Sequence, residues 1–485
     1  PTTEDILTGV ENAIQAALGE AKTSSDSVDV LIIGTTHFVN ALVQRTKLAQ
    51  TGLIRMCLPS GSSILPFSDW PESLVNGMKG SCKLVKGGYE MDGNEISPLD
   101  KDELIDAAKE LSDLGCNQIA ISSVFATVRG DMEDEALELI SKAMPELSIT
   151  LSKSIGGMGL LERENAAIIN ASLKPLAGEV VESFKLLQKS LKLSCPMFFT
   201  RNDGTLIEAA EVIELHVLTF ACGPTNSMRG AAFLSGLQDA LVVDVGGTTT
   251  DVGEVQDGFP RLAGTSVMVA DVRTNFAMPD VISIGLGGGS IVSDNDPMSI
   301  GPISVGHELP QKAKVFGGDT LTATDLAVAA GRCQVGDTAP PSIVSIDKLV
   351  EILDKMVSDQ VARARTSNKA IPVIAVGGGS VMMPSEVDGL EVISPKHNDL
   401  ANAVGAAIAQ VSGQVSRVVL LNDDIDRDSA IKEVTEEATK IAVKRHADPK
   451  SISVLTVSDM PLSYLPGNNL LINVTVVGDL LMEEI

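Results

Sequence analysis

Short apolar runs bounded by polar turns alternate along the first half of the chain with stretches whose apolar residues recur every three or four positions. Val28 to Ile33, Gln118 to Val124, Ser148 to Leu151 and Pro196 to Thr200 read as strands; Thr3 to Leu18, Lys101 to Leu114 and Glu133 to Met144 read as helices. Strand and helix in alternation predict a mainly parallel α/β sheet. Gly61 to Pro98, rich in Gly, Ser and Pro and holding the only Trp, reads as an irregular insertion.

The pattern changes near Leu241. LVVDVGGTTTDVGEV sets two β-rich runs around two glycines, which predicts a hairpin. A Gly-rich stretch follows from Ile284 to Asp319, and helices at Leu349 to Arg365 and Leu400 to Val411 bracket a strand at Ile371 to Val376. From about Val418 a charged helix, Asp428 to His446, and two β-like runs, Ile452 to Val457 and Leu471 to Val477, predict a small C-terminal α/β segment. The expected division is therefore an N-terminal lobe at 1–235, a nucleotide-binding second lobe at 236–417 and an α/β appendage at 418–485. VISIGLGGGSIV (Val281 to Val292) and IPVIAVGGGSVM (Ile371 to Met382) echo each other, each an apolar strand entering a GGGS turn.

Composition narrows the function. A chain of 485 residues is long enough for two lobes of about 200 residues each. With 37 Lys+Arg against 64 Asp+Glu, the net charge of −27 repels phosphate backbones and anionic lipid, so neither a nucleic-acid nor a membrane partner is expected. No run reaches the ~20 apolar residues of a membrane helix, and no signal-like segment opens the chain, so a cytoplasmic location is expected. The six cysteines are scattered without a CxxC pair, and the five histidines show no HxxxH or HExxH spacing, which argues against a disulfide framework and a zinc hydrolase. Cys222 reads as a buried packing residue.

The strongest chemical signal is DVGGTTTD. Backbone amides at Gly246 and Gly247 and the hydroxyls of Thr248, Thr249 and Thr250 suit an anionic phosphate. Asp244 and Asp251 flank them as candidates to hold a divalent metal through its water shell. No Lys follows, so this is not a Walker loop. VGGGS offers Gly377, Gly378, Gly379 and Ser380, where a flat ring can lie close to the backbone, and Gly405 in NAVGAA lets its helix approach a neighbour. Gly287, Gly288, Gly289 and Ser290 compete for that ligand role. Gly34, Thr35 and Thr36, followed by His37, enter a helix and can face a substrate or anion, or simply cap it.

The order DVGGTTTD, VGGGS, NAVGAA resembles the actin and hexokinase superfamily of two-lobed ATPases, with their ribonuclease H-like fold. Within it the chain resembles the A-type members of the hydantoinase and 5-oxoprolinase family, through GTTHFVNALVQR (Gly34 to Arg45), LLERENAAIINASLKP (Leu160 to Pro175), NDGTL (Asn202 to Leu206), CGPTNSMRGA (Cys222 to Ala231), IGLGGGS (Ile284 to Ser290) and PLSYLPGNN (Pro461 to Asn469). The family tends to carry Ser where Cys222 stands. The resemblance implies ATP with Mg²⁺ at the hairpin, adenosine at the later Gly-rich turn, and hydrolysis of a cyclic amide, a 5-oxoproline- or hydantoin-like ring, through a phosphorylated imidate. Asp244 or Asp251 would orient the metal or act as base. It also implies an oligomer working with a B-type subunit or further domain. A small-molecule kinase of the superfamily and a nucleotide-binding subunit without turnover are the alternatives. The family usually has a first DxGGT hairpin, whereas this chain opens at Pro1 with PTTEDILTGV, which resembles the family's stretch just after that hairpin; little turnover is expected of the chain as it stands.

Overall fold

The computed structural model describes residues 6–264, 266–336, 338–367, 369–422, 425–463 and 467–482. The chain folds as two compact units of mixed α/β structure. One comprises Pro1–Ser27, Ala221–Ala263 and Pro279–Ala409; the other comprises Val28–Phe220, Gly264–Met278 and Gln410–Ile485. This division cuts the chain differently from boundaries at 235 and 417. The helix Cys222–Ser235 falls with the hairpin, and the C-terminal segment falls with the first half of the chain.

The first unit is built on a sheet whose spatial order is Phe259–Pro260, Thr250–Gln256, Ala240–Val245, Val373–Val376, Leu390–Ile393, Glu386–Val387, with Val281–Ile284 also pairing with Thr250–Gln256. Ala240–Val245 runs antiparallel to Thr250–Gln256 and parallel to Val373–Val376. Its residues alternate between two cores. Leu241, Val243 and Val245 pack with Leu349, Leu353, Val357 and Val361 of the helix Ile346–Ala364. Val242 packs with Met228, Ala231 and Ala232 of the helix Cys222–Ser235. Leu241, Val242 and Val243 face two cores in turn, which is why LVV carries no polar position before Asp244. The expected helix at the N-terminus is described as Ile6–Ala21; residues 1–5 lie outside the described residues.

The second unit holds two sheets. The strands Ser81–Lys86, Thr51–Leu58, Gln118–Ser123 and Ser148–Leu151 form a parallel sheet in that order, as the early alternation predicts. Gly61 to Pro98 is not simply irregular: it contributes the helix Glu72–Met78 and the edge strand Ser81–Lys86. The other sheet has six strands ordered Leu31–Ile33, Met197–Thr200, Thr205–Glu208, Gln410–Leu421, Asn468–Gly478, Ser453–Pro461. The predicted helix at Leu400 to Val411 ends at Ala407, and the chain enters the strand at Gln410. The turn within NDGTL ties these strands together. The Arg201 guanidinium and the Thr205 hydroxyl meet the Ser412 hydroxyl at 3.1 and 3.0 Å, and Gln414 donates to Asp203 at 2.7 Å. Burial opposes ionisation of Asp203, but Arg201, Thr205 and Gln414 hold its carboxyl below the usual range. Within PLSYLPGNN, residues 464–466 lie outside the described residues.

No helix among the described residues is long and apolar enough to cross a membrane.

Candidate functional site

The hairpin register pairs Val245 with Thr250 and Asp244 with Asp251, leaving four residues in the turn. Gly246 N–H closes it by donating to the Thr249 carbonyl at 2.9 Å. Three carbonyls entering and within the turn are bound from behind. That of Val245 accepts from Gly379 N–H at 2.8 Å, that of Gly246 from Gly288 N–H at 3.0 Å, and that of Gly247 from Gly289 N–H at 2.8 Å. Among the described residues, the N–H groups of Gly247, Thr248 and Thr249 donate to no acceptor in the chain, and all three residues are exposed. Bound carbonyls and outward amides make a concavity of positive partial charge, which is an anion site. Thr250 differs from its neighbours: its buried hydroxyl donates to the Leu286 carbonyl at 2.7 Å and fastens the hairpin to the next turn.

The two GGGS turns meet this hairpin differently. Gly287 lies so close that a Cβ on it would stand 2.5 Å from the Thr248 nitrogen. Its own N–H donates to the Ser290 hydroxyl at 2.9 Å, and Ser290 N–H returns to the Gly287 carbonyl at 2.9 Å. With the amides of Gly288 and Gly289 on the hairpin and all four residues buried, this copy spends its donors on bracing. In the other copy Gly377 adopts φ 85°, and a Cβ there would stand 2.3 Å from Asp244 Oδ1. Gly378 is exposed with open space around it. Asn398 holds this copy, its carbonyl accepting from Gly377 N–H at 3.0 Å and its amide donating to the Ser380 hydroxyl at 2.9 Å. An open glycine surface therefore lies beside the Asp244 carboxylate.

Burial pushes both aspartate carboxyls upward. For Asp244 the Ser227 hydroxyl opposes the shift; for Asp251 the Ser283 hydroxyl, which donates to it, opposes the shift while the negative charge of Asp244 adds to it. Among the described residues neither carboxylate has an ion-pair partner. Two partly buried carboxylates side by side without a counter-charge suit a hard divalent cation. No group of three or more His, Cys, Asp and Glu that could hold a metal occurs among the described residues, so a cation here would rest on this pair and water.

Comparison with known proteins sets this geometry among relatives. A model of the hydantoinase/oxoprolinase N-terminal region matches residues 1–144, and the hydantoinase/oxoprolinase model matches residues 163–340, a range that includes the hairpin and its bracing turn. The chain belongs to the hydantoinase/oxoprolinase family. Among its relatives is the alpha subunit of the caprolactamase of Pseudomonas jessenii, 24% identical over 426 residues, an alignment covering 81% of this chain and 59% of that one. The chain thus spans little more than half the length of that relative. The crystal structure of the ATP-dependent caprolactamase from the same organism superposes with TM-score 0.75 at 18% identity, covering 98% of this chain and 82% of that one. The nucleotide-free structure of acetone carboxylase gives TM-score 0.67 at 16% identity, covering 98% and 83%. The α/β fold is shared with both.

Within this hydantoinase/oxoprolinase chain, the first unit brings together Asp244, Asp251, the turn Gly246 to Thr249, Gly287 to Ser290 and Gly377 to Ser380. Gly34 to His37 belong to the second unit. There Thr36 precedes the helix His37–Gln44 without capping it by its side chain, and the Thr35 hydroxyl lies 2.6 Å from His37 Nδ1. Burial and Lys47 lower the His37 pKa. Cys222 is fully buried. Sequence reasoning missed Ser227, Ser283 and Asn398. Ser227 lay inside CGPTNSMRGA, and Ser283 inside the strand before GLGGGS, but a lone serine in an apolar or small-residue run carries no periodic signal.

Proposed function

We propose that this chain binds ATP and Mg²⁺ at the hairpin and serves an enzyme that opens a cyclic amide. The observation carrying the reading is the turn itself, with the Gly246 and Gly247 carbonyls bound inward, three amides without an acceptor in the chain and two carboxylates without a counter-charge beside it. The Gly247, Thr248 and Thr249 amides hold the terminal phosphate oxygens, Asp244 and Asp251 orient Mg²⁺ through water, and the open backbone at Gly377 and Gly378 receives the adenosine. A lactam nitrogen is a poor leaving group, and ATP supplies a phosphoryl group that activates the amide oxygen towards water. Oriented donors and a metal dominate such transfers, and the turn itself contains no Arg or Lys to do that work. The name of the caprolactamase relative, one chain of a larger enzyme, supports both a lactam substrate and a companion subunit. In this reading the assembly is cytoplasmic.

The acetone carboxylase neighbour supports a second reading, an ATP-dependent carboxylation of a ketone. The test measures ATP loss, free phosphate and phosphorylated product with a panel of lactams and hydantoins, then with ketones plus bicarbonate. Lactam-dependent release of free phosphate supports the first reading. Phosphate retained on the product indicates a kinase, and nucleotide binding without any turnover indicates a non-catalytic subunit.

A further inference from the structure

The helix Cys222–Ser235 crosses the short helix Ala401–Ala407 at two glycines. A Cβ on Gly230 would stand 1.8 Å from the Ala401 carbonyl oxygen, and a Cβ on Gly405 would stand 1.8 Å from that of Asn226. Only glycine permits backbones this close. The crossing brings Asn402 over the first turn of the longer helix, where its side-chain amide donates to the Gly223 carbonyl at 2.9 Å and to Ser227 Oγ at 3.2 Å. The Ser227 oxygen is thereby occupied as an acceptor, which leaves its hydrogen for the Asp244 carboxyl, whose charged form the serine favours. Four residues before Asn402, Asn398 holds the Gly377 to Ser380 turn through its carbonyl and its side chain.

We propose that Ser227 and Asn402 are positioning residues that aim the Asp244 carboxylate at the metal, and that the Asn398 to Asn402 segment couples this carboxylate to the Gly377 to Ser380 turn. The proposal rests on the nucleotide reading above and deepens it: seating the adenosine part of the nucleotide fixes the segment, and the segment fixes the metal-binding carboxylate through Asn402 and Ser227. Metal affinity then depends on the nucleoside as well as on the phosphates. Neither residue touches the reacting atoms.

The experiment titrates the full chain with Mn²⁺, read by electron paramagnetic resonance, in the presence of ADP and separately of pyrophosphate. In the native chain Mn²⁺ binds more tightly with ADP than with pyrophosphate. Ser227→Ala weakens Mn²⁺ binding with ADP about tenfold, the usual scale for losing a hydrogen bond to a charged group. It leaves metal-free ADP binding unchanged, and Ser227→Thr, which keeps the hydroxyl, restores the metal affinity. Asn402→Ala brings the ADP and pyrophosphate values together. Native affinity in Ser227→Ala, or a threonine variant as weak as the alanine one, overturns the positioning role, and equal Mn²⁺ affinity with the two ligands in the native chain overturns the coupling. Failure of the native chain to bind ADP at all overturns the nucleotide reading itself, a result separate from native binding with indifferent variants.

Discussion

Gly247 and Gly287 belong to one site and are glycine for opposite reasons. A Cβ on Gly247 meets nothing within 4 Å, so the fold tolerates a side chain there; what it obstructs is the approach of a ligand to the turn. Gly247→Val is expected to keep its melting temperature and lose nucleotide binding, which a thermal melt and a calorimetric titration check together. Gly287→Ala drives its methyl against the Thr248 nitrogen instead, and is expected to lose about 1–3 kcal/mol of stability along with binding. Equal melting temperatures for the two variants would remove the bracing role of the GLGGGS turn. A different residue contributes to the acid sensitivity of the second unit. His216 is fully buried, its ring 5.3 Å from that of Phe38, and burial lowers its pKa to about 4. Below pH 6.5 the unfolded chain takes up a proton that the folded chain refuses, so stability falls as the pH drops from about 6.5 towards 4. Urea unfolding is expected to show a loss of about 2 kcal/mol from this group between pH 7 and pH 5, absent in His216→Leu.

At the scale of elements, the crossing of Cys222–Ser235 and Ala401–Ala407 has no room to yield, because backbone oxygen rather than a movable side chain faces each glycine. Gly405→Ala is expected to cost about 1–3 kcal/mol in denaturant unfolding and, by separating the helices, to weaken nucleotide binding as well. The NAVGAA run advertised this crossing, just as the alternation of strand and helix patterns advertised the parallel sheet and GGTTT the hairpin. Three large elements gave no such notice. Thr51–Leu58 is an interior strand buried on both faces, so no polar alternation marks it, and its Arg55 looks like a surface residue until it pairs with Glu164 at 2.6 Å in the core. Leu160–Ser190 buries Arg163, Glu164, Asn165, Asn170 and Ser172 and carries Pro175 inside it, which erases the apolar stripe and mimics a break. Gln410–Leu421 follows a small-residue helix so closely that its first residues read as more helix. In the site, backbone amides and isolated serines do the work, and only their glycine neighbours are conspicuous in a sequence.

Across the whole molecule, the C-terminal segment is structural to the second unit and not attached to it as an afterthought. Gln410–Leu421, Asn468–Gly478 and Ser453–Pro461 are three of the six strands of one sheet, and Ser412 and Gln414 are the partners of buried Arg201 and Asp203. Truncation after Ala409 strands those charges and opens the Thr205–Glu208 edge. The truncated chain is expected to lose hydrogen-exchange protection in Met197–Thr200 and Thr205–Glu208 and to aggregate; retained protection there would show that the segment is dispensable. The sheet also has a history in time. On a ribosome adding about 5–20 residues each second, Thr205–Glu208 emerges roughly 10–40 s before its neighbour Gln410–Leu421. Throughout that interval a nascent chain carries an unpaired strand edge, open to pairing with other nascent chains. Abundant chaperone during synthesis should therefore raise the yield of soluble protein more than any change of buffer after lysis, because the hazard lies in the order of synthesis.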